Sequence, residues 1–156
     1  LLKIDVQGAE VDVFLGARKT MRGCMAVITE TRFFPLYQGE PMLGGVDEEL
    51  RYQGFTFHKF LFLKSKVIPN SQIERLKRTE HRNQILDGDA VYLRNMGHPE
   101  DHPDESLKHL AILASGVFES HDLALHCLDL LVERAAAAPD LPGRYVDALP
   151  PELRKD

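Results

Sequence analysis

The 156-residue chain has only two cysteines, Cys24 and Cys127, and they lie far apart. That spacing suits neither a metal site nor a disulfide framework, so both read as ordinary thiols of a reducing compartment. No apolar stretch approaches the roughly 18 residues of a membrane span. The longest apolar run, around Phe60 to Leu63, is strand length and bounded by Lys59 and Lys64. No G-x-G element follows a strand; Gly44-Gly45 is misplaced for a phosphate- or cofactor-cradling turn. Nor is there a large charge of one sign. Lys plus Arg number 19 and Asp plus Glu 24, a net charge of −5 with His neutral. So mild an acidity favours solubility and gives no overall footprint for duplex nucleic acid or an anionic membrane.

What is present is the balance of a globular domain: 44% hydrophobic and 28% charged residues in 17.7 kDa. The chain opens on Leu1-Leu2-Lys3-Ile4-Asp5, without an initiator Met or a signal-peptide pattern. It starts inside an apolar run, and the expectation is the C-terminal part of a longer protein.

Leu1 to Val6 reads as a buried strand, with Gln7-Gly8 as its turn. Ala9 to Met21 places Val11, Val13, Phe14, Ala17 and Met21 at helical spacing. Cys24 to Thr31 reads as a second strand, Phe33 to Pro41 as a loop, Met42 to Gln53 as a helix, and Phe55 to Leu63 as a third strand. Lys64 to Gly88 is polar, with a short helix expected only at Gln72 to Lys77; Asp89 to Arg94 is a fourth strand. This alternation predicts an α/β sheet with parallel strands. The predicted organisation is an α/β part over residues 1–95, a Pro- and Asp-rich linker over 96–104, a helical hairpin over 105–138 and an extended, mobile Pro-rich tail over 139–156. Within the hairpin the helices are Glu105 to Phe118 and His121 to Ala138. That hairpin weakly resembles a single tetratricopeptide-like unit through Ala111, Gly116, Ala124 and Leu128. It would either dock on the sheet or form a surface for a partner or a homo-oligomer.

The stretch that points to chemistry is Lys3-Ile4-Asp5-Val6-Gln7-Gly8-Ala9-Glu10. In open α/β sheets ligands bind beyond the carboxyl ends of the strands. Asp5 and Gln7 sit at such an end, two residues apart; Gly8 permits a tight turn and close backbone approach; Glu10 falls in a first helical turn. The plainer alternative is that Asp5 and Glu10 merely cap the helix. His98 and His102 flank Pro99-Glu100-Asp101 but lack metal-site spacing, and solvent exposure is expected for both. His58 reads as packing or surface; His109, His121 and His126 as surface or interhelical groups. His81 stands just before Asn83-Gln84. No metal is expected, and no Ser/His/Asp or Cys/His arrangement emerges.

KIDVQGAE, followed by a helix and a strand ending in Glu30, resembles the FkbM-type methyltransferase family. So do Val27-Ile28-Thr29-Glu30-Thr31-Arg32-Phe33-Phe34-Pro35-Leu36-Tyr37-Gln38-Gly39, then Gly54-Phe55, Asn83-Gln84 and Gly88-Asp89-Ala90-Val91-Tyr92-Leu93-Arg94. The resemblance runs in order from Leu1 to Arg94. It implies a Rossmann-like sheet using S-adenosyl-L-methionine, with Leu1 to Val6 as its fourth strand and the last strand antiparallel between its neighbours. The glycine-rich cofactor loop and the ribose-holding acidic residue would lie upstream of Leu1, so this chain alone would be weakly active at best.

The implied reaction is methylation of a hydroxyl on a sugar, glycan or secondary metabolite. Asp5 and Glu30 are the candidate catalytic carboxylates; Asp5, Gln7, Gly8 and Glu10 the cofactor-side residues; Tyr37 a substrate-pocket residue. For Glu30 the competing role is an ion pair with Arg32, and for Tyr37 simple packing. A small-molecule or glycan acceptor is the expected partner, nucleic acid and a membrane span are not, and the cytoplasm is the expected compartment. A non-catalytic interaction or scaffold module with the same sheet is the first alternative, and another nucleotide-using α/β enzyme the second.

Overall fold

A computed structural model describes residues 1–155 and divides the chain into two compact units, Leu1–Asn95 and Met96–Asp156. The first unit is an α/β sheet. Strand β1 (Leu2–Ile4) leads to helix α1 (Glu10–Met21), strand β2 (Ala26–Arg32), helix α2 (Leu43–Tyr52), strand β3 (Phe55–Lys66) and strand β4 (Gln84–Arg94). The sheet order is β1-β2-β4-β3. β1 and β2 are parallel, and β4 runs antiparallel between β2 and β3. The Rossmann-like α/β class is therefore present, with the last strand inserted as the family resemblance implies. The all-parallel pattern inferred from alternation alone is corrected. A strand can enter between two others when its own two neighbours are separate in sequence, and period-2 patterning does not report direction.

β2 is buried on both faces, as its apolar run requires. On one face Phe14 and Met21 of α1 meet Val46 and Leu50 of α2 over Ile4, Val27, Phe55, Ala90 and Tyr92. The helices are stitched together at their surface, where Arg18 donates to Glu49 at 2.9–3.0 Å. Tyr92 is fully buried yet polar at its tip; its hydroxyl donates to Asp47 Oδ1 of α2 at 3.1 Å. Burial, reinforced by Asp47, pushes that phenol well above its ordinary value. Arg94, at the end of β4, ties down carbonyls at and just past the C-terminal ends of α1 and α2. Its guanidinium donates to Met21 O, Cys24 O and Gln53 O and lies 3.9 Å over the Phe55 ring.

The structure corrects the polar segment after Leu63. β3 continues to Lys66 and β4 begins at Gln84, so the two form a long antiparallel arm. Between them lie only 3₁₀ turns, Ile73–Arg75 and Arg78–Glu80. The arm was hard to see because its outer part is exposed and carries no core-facing alternation. Gly88 is its tightest point: a Cβ there would lie 2.6 Å from both Leu63 Cδ2 and the Phe62 carbonyl oxygen. Gly88→Ala is accordingly expected to cost about 1–3 kcal/mol by overpacking, read as a lower urea midpoint, with lost amide protection concentrated in β3 and β4.

The second unit is helical. α3 (Asp104–Gly116) and α4 (His121–Glu133) form a hairpin closed by Phe118 and buried Leu107, Leu110, Ala114, Ala124, Cys127 and Leu131. α4 stops before the predicted Ala138 because Ala135 takes a left-handed conformation, φ 54°. Burial pushes the Cys127 thiol up to about 11, which makes it unreactive at neutral pH.

Three expectations for this unit are corrected. The predicted linker contains a 3₁₀ turn, Pro99–Asp101, and is pinned by Arg134, which donates to Pro99 O and His102 O at 2.7 Å and to Asp104 at 3.1 Å. His102 is thereby buried rather than exposed. The predicted extended tail instead forms α5 (Leu141–Asp147) and a 3₁₀ turn, Pro151–Leu153. Pro142 does not prevent this, because a first-turn residue needs no intrahelical N–H bond. Tyr145 anchors α5: its hydroxyl donates to Ser115 Oγ at 2.9 Å and meets His121 Nδ1 at 2.7 Å.

Candidate active site at the strand ends

Parallel pairing sets Ile4 beside Thr29, so the next residues come near the carboxyl ends of adjacent strands, Asp5 just past β1 and Glu30 two residues before the end of β2, which runs on to Arg32 rather than ending at Glu30. The antiparallel β4 adds its own acids from the other side, with Glu30 opposite Asp89 and Arg32 opposite Asp87. Lys3 on β1 reaches Asp89 at 3.6 Å. Topology thus gathers charge from three strands at one end of the sheet, where open α/β sheets place their ligands.

Arg32 is the hub. Its side chain is only 9% exposed and meets Glu30 at 2.8 Å, Asp87 at 3.0 Å and Glu40 at 3.5 Å. One guanidinium therefore faces three carboxylates. Arg32 Nε, Glu30 Oε2, Glu40 Oε2 and Asp87 Oδ2 meet at ion-pair distances without hydrogen-bond alignment. Burial raises the Glu30 carboxyl above its ordinary value; Arg32 opposes that rise, while Asp5, Asp87 and Glu10 add to it. The ion pair weighed for Glu30 is formed. The same carboxyl also lies within electrostatic reach of Asp5.

The turn after β1 is built by Glu10. This residue is buried, and its carboxylate accepts the Val6 N–H at 3.3 Å and the Gly8 N–H at 3.0 and 3.2 Å. It caps no residue of α1 through the usual N-cap position, Ala9, but reaches back to hold the loop. Gln7 is exposed in a left-handed conformation, φ 52°, and Gly8 follows at φ 106°. A Cβ on Gly8 would sit 3.1 Å from Glu40 Cβ, so the missing side chain lets the two loops close on each other. Removing the carboxylate in Glu10→Ala orphans these amides. The expected cost is about 1–3 kcal/mol, with faster exchange of the Gly8 amide, and Glu10→Gln is expected to recover part of it.

The loop after β2 folds back through a bridge between Arg32 and Met42. Glu40 staples it, accepting the backbone N–H groups of Leu36 and Tyr37, the latter at 2.9 Å. Those two amides, with Arg32, hold the Glu40 carboxyl below its ordinary value. Tyr37 stands at the loop's outer side, 58% exposed. Asp5 is also exposed. The geometry therefore brings Asp5, Glu30 and the Gly8–Glu10 turn together, and leaves Tyr37 at the rim.

Sequence reasoning did not single out Glu40 or Asp87, and named Arg32 only as a partner for Glu30. The available signal was the basic residue two after Glu30 on a buried strand, which needs compensation beyond one acid. A groove of about 540 Å³ also runs along α1 and α2, lined by Val11, Asp12, Arg18, Pro41, Glu48 and Tyr52 among others; neither Asp5 nor Glu30 lines it. Among the described residues no group of three or more His, Cys, Asp or Glu side chains is placed to hold a metal ion.

A parallel strand pair ending in carboxylates, with an inserted antiparallel strand, defines a Rossmann-like α/β site. Residues 1–57 match the family model described as the methyltransferase FkbM domain. The match takes in β1, α1, β2, α2 and the start of β3, and it supports a methyltransferase. No curated protein and no solved structure matches the chain. Among the described residues no helix is long and apolar enough to cross a membrane.

Proposed function

We propose that the protein is an S-adenosyl-L-methionine-dependent O-methyltransferase whose acceptor is a hydroxyl on a sugar, glycan or secondary metabolite. The observation that carries this reading is the Asp5–Glu30 pair at neighbouring strand ends, inside the segment that matches the FkbM domain. The chemistry of the site suits the cofactor, because a cluster rich in carboxylates complements a cationic sulfonium and its ammonium group. Bound there, S-adenosyl-L-methionine would supply the electrophilic methyl group. Asp5, exposed, and Gln7 are the groups to accept from or donate to it, while Gly8 and Glu10 shape the turn that presents them.

On the acceptor side, a hydroxyl must give up its proton as it becomes a nucleophile. Asp5 and Glu30 are the carboxylates placed to orient that hydroxyl or take its proton. The raised pKa of Glu30 brings it nearer the range in which a carboxylate holds a proton usefully. Tyr37, at the rim, contacts the acceptor. The proposed setting is the cytoplasm, and the helical unit offers an apolar groove of about 400 Å³, lined by Ile112, Leu128 and Leu141 among others, for a homo-oligomer.

The test is to incubate the full-length protein, with any residues that precede Leu1, with methyl-labelled S-adenosyl-L-methionine and acceptors that differ only in bearing a hydroxyl or an amine. Label recovered on the hydroxyl acceptor is expected. Label only on nitrogen would overturn the O-methylation reading, and failure to bind the cofactor at all would return the chain to the interaction-module alternative.

A further inference from the structure

The net charge of −5 conceals a strong asymmetry. Residues 59–82, the outer part of the β3–β4 arm, carry seven Lys or Arg and two Glu, a net +5, which leaves −10 for the rest of the chain. Six of those basic residues are exposed: Lys64, Lys66, Arg75, Lys77, Arg78 and Arg82. The same segment exposes large apolar side chains, Phe62 at 59%, Ile68 at 58%, Leu63 at 42% and Leu61 at 38%. β3 is an edge strand, and among the described residues no further strand covers this side of the sheet. The patch extends onto the loop after β2, where Lys66 Nζ lies 4.7 Å over the ring of Phe34, itself 38% exposed. Some charge is locally balanced, by Glu74 on Arg78 at 2.6 Å and by Asp87 on Lys64 at 3.8 Å, but the excess remains positive.

We propose that the β3–β4 arm is a docking surface for an anionic lipid bilayer. Two signals coincide there. Basic residues are attracted to anionic headgroups, and exposed aliphatic and aromatic side chains enter the boundary beneath them. Either alone gives marginal attachment; together they give stable, reversible attachment. The apolar residues are mainly aliphatic, which suits acyl chains better than the aromatic stacking platforms that hold single-stranded nucleic acid. The inference stands apart from the methyltransferase reading, since lipid binding needs neither cofactor nor acceptor.

Co-sedimentation of the full chain with vesicles tests it, using phosphatidylcholine alone and phosphatidylcholine mixed with phosphatidylglycerol. Binding is expected only to the mixed vesicles, weakening as salt rises. Each exposed basic residue near the surface is worth roughly fivefold in affinity. The triple variant Arg75→Gln, Lys77→Gln, Arg82→Gln is therefore expected to bind at least about tenfold more weakly. Phe62→Ser, which weakens the apolar signal without changing the charge, is expected to lower affinity about fivefold or more. An unchanged urea midpoint shows that each variant is folded. Equal binding to both vesicle types, binding to neither, or full binding by the triple variant would overturn the proposal. Tighter binding to a single-stranded RNA than to the mixed vesicles would overturn it in favour of nucleic acid.

Discussion

Arg32→Met is expected to lower the stability of the protein by about 3–5 kcal/mol at neutral pH, the cost of leaving buried charge without its partner. Three carboxylates converge on this guanidinium, and the side chains of Glu40 and Asp87 are only 2% and 7% exposed. Methionine fills much of the same volume, so the loss reports charge rather than a cavity.

Its pH dependence identifies the cause. Glu30 has a folded pKa raised above its ordinary 4.5. A carboxyl raised in the folded state keeps a proton that the unfolded chain has released, so stability falls as pH rises from 4.5 through the folded value. Glu40 runs the opposite way. Its folded pKa is lowered from 4.5, so its contribution is present above that value and is lost as pH falls through the folded one. Without Arg32, Glu30 loses the one partner that opposes its rise, and Glu40 loses part of what holds it down. The deficit of the variant should therefore be larger at about pH 8 than at about pH 5, measured as urea unfolding free energies. A deficit equal at both would mean that packing, not charge, makes Arg32 necessary.

Asp5→Asn is expected to lower methyl transfer about 100-fold, the lower end of what a positioned acid or base contributes. The effect on folding should be within about 0.5 kcal/mol, because Asp5 is exposed. Steady-state rates at saturating cofactor, with circular dichroism and a urea midpoint on the same sample, check both halves. Normal turnover by a folded Asp5→Asn protein would remove this residue from the reaction. Glu30→Gln offers the contrast. It disturbs the Arg32 pair as well, so it should change stability and rate together, whereas Asp5→Asn should change rate alone.

Much of the α/β unit could be read from local pattern. α1 follows from Val11, Val13, Phe14, Ala17 and Met21, and β2 from an apolar run that both faces of a sheet bury. Asp5 and Glu30 could be placed at strand ends because each directly follows or closes such a run. The outer β3–β4 arm could not, since an exposed strand need not alternate. Nor could α5, where Pro142 looks like a breaker until its place in the first turn is known. In the turn after β1, Glu10 carried the right composition for a cap, but whether its carboxylate faced a ligand or its own backbone was a matter of loop geometry.

The amino-acid order by itself determined the buried strands and the first helices, the place of Asp5 just past the first strand, and the possible pairing of Glu30 with Arg32. Those are properties of residues within a few positions of one another, where periodicity and side-chain chemistry act directly. Only the tertiary structure decided which other acids meet Arg32. Inserting β4 between β2 and β3 sets Asp87 opposite Arg32, and the return of the loop at Met42 brings in Glu40. Strand order is chosen by packing among distant segments, so local spacing carries no record of it. The gathering of charge at the sheet end follows from that choice.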